Sequence, residues 1–149
     1  MRNKVITGLV ILMVMLIIGN ALQDLGTSTR ISGSLSLRIF NLLDRIEGQK
    51  YSLAEIDFIV RKGAHFINYF FLTVFLTSLV YSHSKKLLLS LITSGIFGFS
   101  LAIIDEIIQQ GSDGRNSSYF DVLIDSAAVF TALIGFFVII MVTGREQVS

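Results

Sequence analysis

The 149-residue sequence contains no cysteine, no proline and no tryptophan. Without cysteine there is no disulfide framework, no thiolate metal site and no cysteine nucleophile, and the redox compartment leaves no mark on the chain. Charge is scarce and balanced: charged residues make up 15%, with 12 Lys plus Arg against 11 Asp plus Glu and a formal net charge of +1. That balance does not suit a polyanionic partner, so nucleic acid is not expected. What fills the space is apolar. Hydrophobic residues make up 52% of the chain and the mean hydropathy is +0.72, outside the ordinary soluble range. The length leaves room for one domain, taken as residues 1–149.

A membrane-crossing helix needs ~20 mostly apolar residues, because ~1.5 Å of rise per residue must cover a hydrocarbon layer of ~30 Å. Four stretches qualify: Val5 to Leu22, Ala64 to Tyr81 with only His65 ionisable, Leu87 to Gln109 apolar until Asp105, and Val122 to Val142 apolar except for Asp125. In lipid the backbone must satisfy its own hydrogen bonds, so these runs predict helices. The expected fold is an all-α, polytopic membrane bundle of about four transmembrane helices with a short interfacial helix on the outer side. The first run also admits a signal-peptide reading, with Arg2 and Lys4 ahead of the apolar core and Gly19-Asn20-Ala21 at a cleavage spacing. Cleavage there leaves three spans.

Between the first two spans, Gln23 to Lys62 is polar. Gly26-Thr27-Ser28-Thr29 carries loop chemistry, followed by an alternation of Ser32, Ser34 and Ser36. Ser52-Leu53-Ala54-Glu55 has capping-box spacing and predicts a helix that starts after Ser52 and runs through Arg61-Lys62 into the membrane; Ser118 to Asp121 repeats that signature before the fourth span. Ser82 to Lys86 is short enough to require a helical hairpin. Basic residues on short segments (Arg2, Lys4, Lys85, Lys86, Arg145) orient the chain as a multi-pass cell-membrane protein with both termini cytoplasmic.

On that topology nearly all the polar residues of the spans gather at the outer face. Asp57, Arg61 and His65 are spaced i, i+4, i+8, with Tyr69 one turn deeper; Asp105, Glu106 and Gln109 end the third span; Asp121 and Asp125 open the fourth; Arg115 lies in the intervening loop. Ionisable groups at membrane depth cost ~2.5–3.5 kcal/mol each on insertion scales, so each needs compensation or a function. Asp57 with Arg61 reads first as a helix ion pair, Asp121 equally as a helix cap, and Lys62 first as a snorkelling side chain. His65 divides evenly between an interhelical hydrogen-bonder and a functional group, whereas Glu106 leans to function. Phe66, Phe70, Phe71 and Phe75 read as packing, and Gly95 and Gly98 as points of close helix approach.

Two chemistries fit these residues. Arg61, Lys62 and Arg115 can bind an anionic head group, joined by Gln109 and Asp121, with His65, Glu106 and Asp105 as candidate acid–base residues. Alternatively, His65 with Asp105, Glu106 and Asp121 forms a nitrogen–oxygen set suited to a divalent cation. No organic cofactor is expected, since neither a phosphate loop nor a dinucleotide fingerprint nor a nucleophile elbow is present.

The order Arg61-Lys62-Gly63-Ala64-His65-Phe66, then Asp105-Glu106-Ile107-Ile108-Gln109, then Gly114-Arg115 followed by Asp121-Val122-Leu123-Ile124-Asp125 resembles the VanZ-like family of small integral membrane proteins. The serine alternation and Asp57 fit the same family, and the resemblance covers most of the chain. It implies a compact bundle of about four membrane helices and a link to teicoplanin tolerance. It also implies partners among membrane lipids or a lipid-linked cell-wall precursor, and recurrent polar positions at Arg61, Lys62, His65, Asp105, Glu106, Gln109, Arg115 and Asp121. The family often has histidine where this chain has Ile108, and asparagine where it has Asp125. The first departure removes a nitrogen from a metal set or a two-histidine relay.

Overall fold

A computed structural model describes residues 2–23, 25–48, 50–111 and 119–145. They form five helices and, among the described residues, no strand: α1 (Arg2–Ala21), α2 (Leu25–Glu47), α3 (Leu53–Ser84), α4 (Leu87–Gln110) and α5 (Tyr119–Arg145). Four of them, α1, α3, α4 and α5, are long and apolar enough to cross a membrane. The chain is a polytopic helical membrane bundle, as its apolar runs predict. Gly114, Arg115 and Ser118 lie outside the described residues, so the head-group role expected of Arg115 and the capping signature before the fourth span have no structural counterpart here.

Helix starts and stops follow local chemistry. At Ser52 the capping box is formed in both directions: the Ser52 hydroxyl accepts from the Glu55 amide at 3.2 Å, and the Ser52 amide donates to the Glu55 carboxylate at 2.7 Å. α3 ends at Ser84, where Lys85 takes a left-handed conformation with φ of 56° and its amide donates to the Tyr81 carbonyl. The chain reverses there and α4 begins at Leu87, giving the tight hairpin expected. α3 has 32 residues and is therefore about 48 Å long, well beyond a ~30 Å hydrocarbon layer. A layer of that thickness takes up ~20 of these residues, so about three turns of α3 are surplus to it.

The Gly26-Thr27-Ser28-Thr29 segment corrects the loop expectation. These residues are already helical, in the first turns of a 23-residue α2. Glycine and hydroxyl residues favour loops locally, but their neighbours lay one polar face along the helix, and the hydroxyls bond back into it. Ser32 donates to the Ser28 carbonyl and Ser36 to the Ser32 carbonyl, each at 3.1 Å. Ser32 and Ser36 thus share a face, whereas Ser34 is exposed.

The core joins α1, α3, α4 and α5 through Ile17, Tyr69, Leu72, Leu101, Ala102, Ala128 and Val129. Small residues set the spacing, as in lipid where packing replaces the hydrophobic drive. At Gly98 an added Cβ would lie 2.8 Å from Val129 Cγ2, so α4 and α5 touch there backbone to side chain. Phe66 and Phe70 pack against this core, and Phe71 stacks on Phe75 toward the outside.

Candidate functional site

Polar side chains of four helices meet at the end of the bundle where α3 and α5 begin and α4 ends, and they sort into three groups. The first ties α2 to α3. Asp57, buried on the first turns of α3, accepts through Oδ1 from Ser32 at 2.6 Å and from Ser36 at 2.9 Å. Its other oxygen lies 3.2 Å from Arg61 Nε, one turn on. That approach makes an ion pair but is too misaligned to satisfy Nε as a donor. Asp57 with Arg61 was expected as a plain helix pair; the structure adds two hydroxyl donors from a helix 21 and 25 residues earlier in the chain.

In the second group Lys62 pairs with Asp121 at the start of α5, and its ammonium also lies 5.2 Å from the centre of the Phe58 ring. Lys62 therefore does not snorkel freely to the surface. A carboxylate and an aromatic face hold it at the junction of α3 and α5. Asp121 stands in the first turn of α5, where the helix dipole also favours its charge.

The third group is the deepest. His65 Nδ1 lies 3.5 Å from Asp105 Oδ2 and 3.9 Å from Asp125 Oδ2. The Tyr69 hydroxyl donates to the same Asp105 oxygen at 3.3 Å. One ligand atom from each of His65, Asp105 and Asp125 falls within 4.8 Å of the others. The sequence stripe His65–Tyr69 on α3 thus faces α4, and each carboxylate projects from the inward face of its own helix. On α4 that face runs through Ser94, Gly98, Leu101, Ala102, Asp105 and Gln109; on α5 it runs through Asp125, Ala128, Val129 and Ala132.

The expected residues are therefore divided. His65 and Asp105 meet, Arg61 and Lys62 each pair with a carboxylate nearby, and Gln109 is buried on the same face of α4. Asp121, expected beside His65 as a cation ligand, pairs with Lys62 and lines a small cleft with His65 and Asp125. Glu106, adjacent to Asp105 in sequence, lines a different feature: an open groove of about 450 Å³ between α4 and α5, shared with Ile103, Ile107, Tyr119 and Leu123. Asp125 takes the place expected of Glu106 and Asp121 in the histidine group. Its signal in the sequence is the i, i+4 spacing from Asp121 at the opening of the fourth span, with Ala128 and Ala132 at i+3 and i+7 on the same inward side of α5.

A second cleft opens beside His65, between the end of α1, α2 and α3. Its volume is about 240 Å³; Asn20, Gln23, Ser28, Ser32, Arg61 and His65 contribute its polar lining, and Ile31, Leu35, Val60 and Ala64 its apolar lining. Chemically, then, this end offers a guanidinium beside an amphipathic cleft and, at the cleft edge, an imidazole backed by two buried carboxylates.

No curated protein and no solved structure is detectably similar to the chain. One family model matches, and it does so from residue 6 to residue 142, a stretch that contains all three polar groups and both clefts. The fold, the motif order and a match over nearly the whole length agree: the chain belongs to the VanZ/LLP1 family.

Proposed function

We propose that the protein binds an anionic membrane lipid, or a lipid-linked cell-envelope precursor, at the outer face of the cell membrane, in the cleft between α1, α2 and α3. The observation that carries this reading is the pairing of Arg61 with an amphipathic cleft. Asp57 lies 3.2 Å from Nε of the guanidinium, and a guanidinium has five donors, enough to grip a phosphate bidentately as well. Ile31, Leu35, Val60 and Ala64 suit the first methylenes of a lipid chain. The length of α3, in excess of a ~30 Å hydrocarbon layer, supports a position for Arg61 near the level of lipid phosphates.

Lipid exchange into the purified protein, followed by native mass spectrometry, tests this. Dioleoyl phosphatidate and a polyprenyl phosphate should bind at least tenfold more tightly than dioleoylglycerol, and Arg61→Gln should remove that preference while Arg45→Gln, exposed on α2, keeps it. Equal binding of phosphatidate and diacylglycerol would sink the reading. Orientation is tested on the same protein: a cysteine at Ser34 should label from outside intact cells and one at Ser84 should not. Tolerance to teicoplanin but not vancomycin in a sensitive host is one expected consequence, lost in Arg61→Gln.

A second reading, a hydrolase or transferase acting on a lipid phosphate, draws on His65 at the cleft edge with Asp105 behind it. Turnover of a lipid-linked substrate by the purified protein would favour it over binding alone.

A further inference from the structure

We propose that His65, Asp105 and Asp125 hold a divalent transition-metal ion, of the zinc or manganese kind, at the meeting point of α3, α4 and α5. Geometry is the first support. An ion bound at ~2.0–2.2 Å by nitrogen and oxygen sets neighbouring ligands ~3.3 Å apart in a tetrahedron. His65 Nδ1 already stands 3.5 Å from Asp105 Oδ2 and 3.9 Å from Asp125 Oδ2, and one ligand atom of each residue lies within 4.8 Å of the others. Small side-chain rotations close the difference.

Charge is the second support. Asp105 and Asp125 are only 2% and 3% exposed, and the Oδ1 atom of each has no hydrogen-bond partner among the described residues. Two buried carboxylates with unsatisfied oxygens are costly at membrane depth. A protonated His65 supplies one positive charge against two negative ones. The nearest other cations are already matched, Lys62 by Asp121 and Arg61 by Asp57. A divalent ion with neutral imidazole balances the charge of the group, and a carboxylate that ligates through either oxygen gives the unpartnered ones an alternative to burial without a partner.

The donor set narrows the ion. One imidazole and two carboxylates suit zinc or manganese better than calcium or magnesium, which prefer oxygen cages. Tyr69 donates to Asp105 Oδ2 at 3.3 Å, the kind of outer partner that orients a ligating carboxylate. This site goes beyond the lipid-binding reading and does not depend on it, because it uses neither Arg61 nor the apolar lining of the cleft.

The test uses the full chain, purified in detergent through a tag free of histidine, stripped with chelator, loaded with excess Zn²⁺ or Mn²⁺ and desalted. Metal is counted by mass spectrometry with no lipid added. The wild type should retain about one ion per chain, and Asp105→Asn and Asp125→Asn should each retain at least tenfold less. Glu106→Gln and Asp121→Asn should retain it, separating this ligand set from the one expected from sequence. Should the Asp variants fail to fold, the wild type alone decides: Co²⁺ loading must give a visible absorption band of nitrogen–oxygen ligation, and Zn²⁺ must raise the melting temperature. Stripped wild type that takes up no metal, or folded Asp125→Asn that binds as much as the wild type, overturns the proposal.

Discussion

Replacing Gly98 with alanine inserts a single carbon where α4 crosses α5. The new Cβ would lie 2.8 Å and 3.2 Å from the two γ-carbons of Val129, and 3.5 Å from Thr73 Oγ1. Carbon atoms sit comfortably at ~3.5–4.0 Å, so the closer contact falls short by about 0.7–1.2 Å. Valine in a helix is nearly confined to one rotamer. With both of its methyls near the new carbon, rotation trades one clash for another, and the helices must part instead. Overpacking of this kind costs ~1–3 kcal/mol. Alanine recovers up to ~1 kcal/mol through its better helix propensity, leaving a net loss of up to about 2 kcal/mol, or up to ~30-fold in the folding equilibrium. Equilibrium unfolding of the detergent-solubilised protein reads this directly. Gly135→Ala, which meets nothing within 4 Å, is the control and should be neutral or stabilising. In a Val129→Ala background the obstacle is gone, so Gly98→Ala should no longer destabilise, a coupling of ~1 kcal/mol or more. If Gly98→Ala behaves like Gly135→Ala, or if removing the valine gives no rescue, the crossing is not the close contact described.

Asp57→Ala removes the acceptor shared by Ser32 and Ser36. Hydrogen bonds to a charged group contribute ~1.5–3 kcal/mol each, and since each serine proton is also shared with a helix carbonyl, we take about 2–3 kcal/mol in total. Hydrogen exchange of α2 amides should accelerate ~30–160-fold while α4 is unaffected; unchanged protection of α2 contradicts the role given to Asp57. Lys85→Gly relieves a left-handed lysine at the α3–α4 turn and should raise stability by ~0.5–1 kcal/mol. A lower melting temperature would show that the lysine side chain contributes more than its backbone costs.

The four long helices were legible in the sequence because length and hydropathy alone decide what can cross a bilayer, and the α3 start was legible because a capping box is a local device. α2 was not. Gly26 to Thr29 carry loop chemistry, and what seats the helix on the bundle is Asp57, an acceptor more than twenty residues away. The candidate site was half legible for a related reason. Spacing predicts which residues share a face of one helix, as with Asp57, Arg61, His65 and Tyr69, but not how neighbouring helices are rotated about their axes. That rotation turns Asp105 toward His65 and its neighbour Glu106 toward the α4–α5 groove, and it brings in Asp125, which the sequence sets one turn beyond Asp121 without showing which of the two meets His65.

The unequal lengths of α1 and α3 carry a consequence for the surrounding lipid. α1 has 20 residues, about 30 Å, which leaves no surplus against an average hydrocarbon layer. A thicker bilayer must thin around α1 or draw Arg2 and Asn20 into its interior, whereas α3, with 32 residues, meets the same bilayer with turns to spare. Hydrophobic mismatch is thus concentrated on one side of the bundle, the side where Asn20 and Gln23 border the cleft. In thick membranes the lipid annulus beside α1 is pulled down, so on the lipid-binding reading proposed above the depth at which head groups meet Arg61 and His65 follows the length of α1.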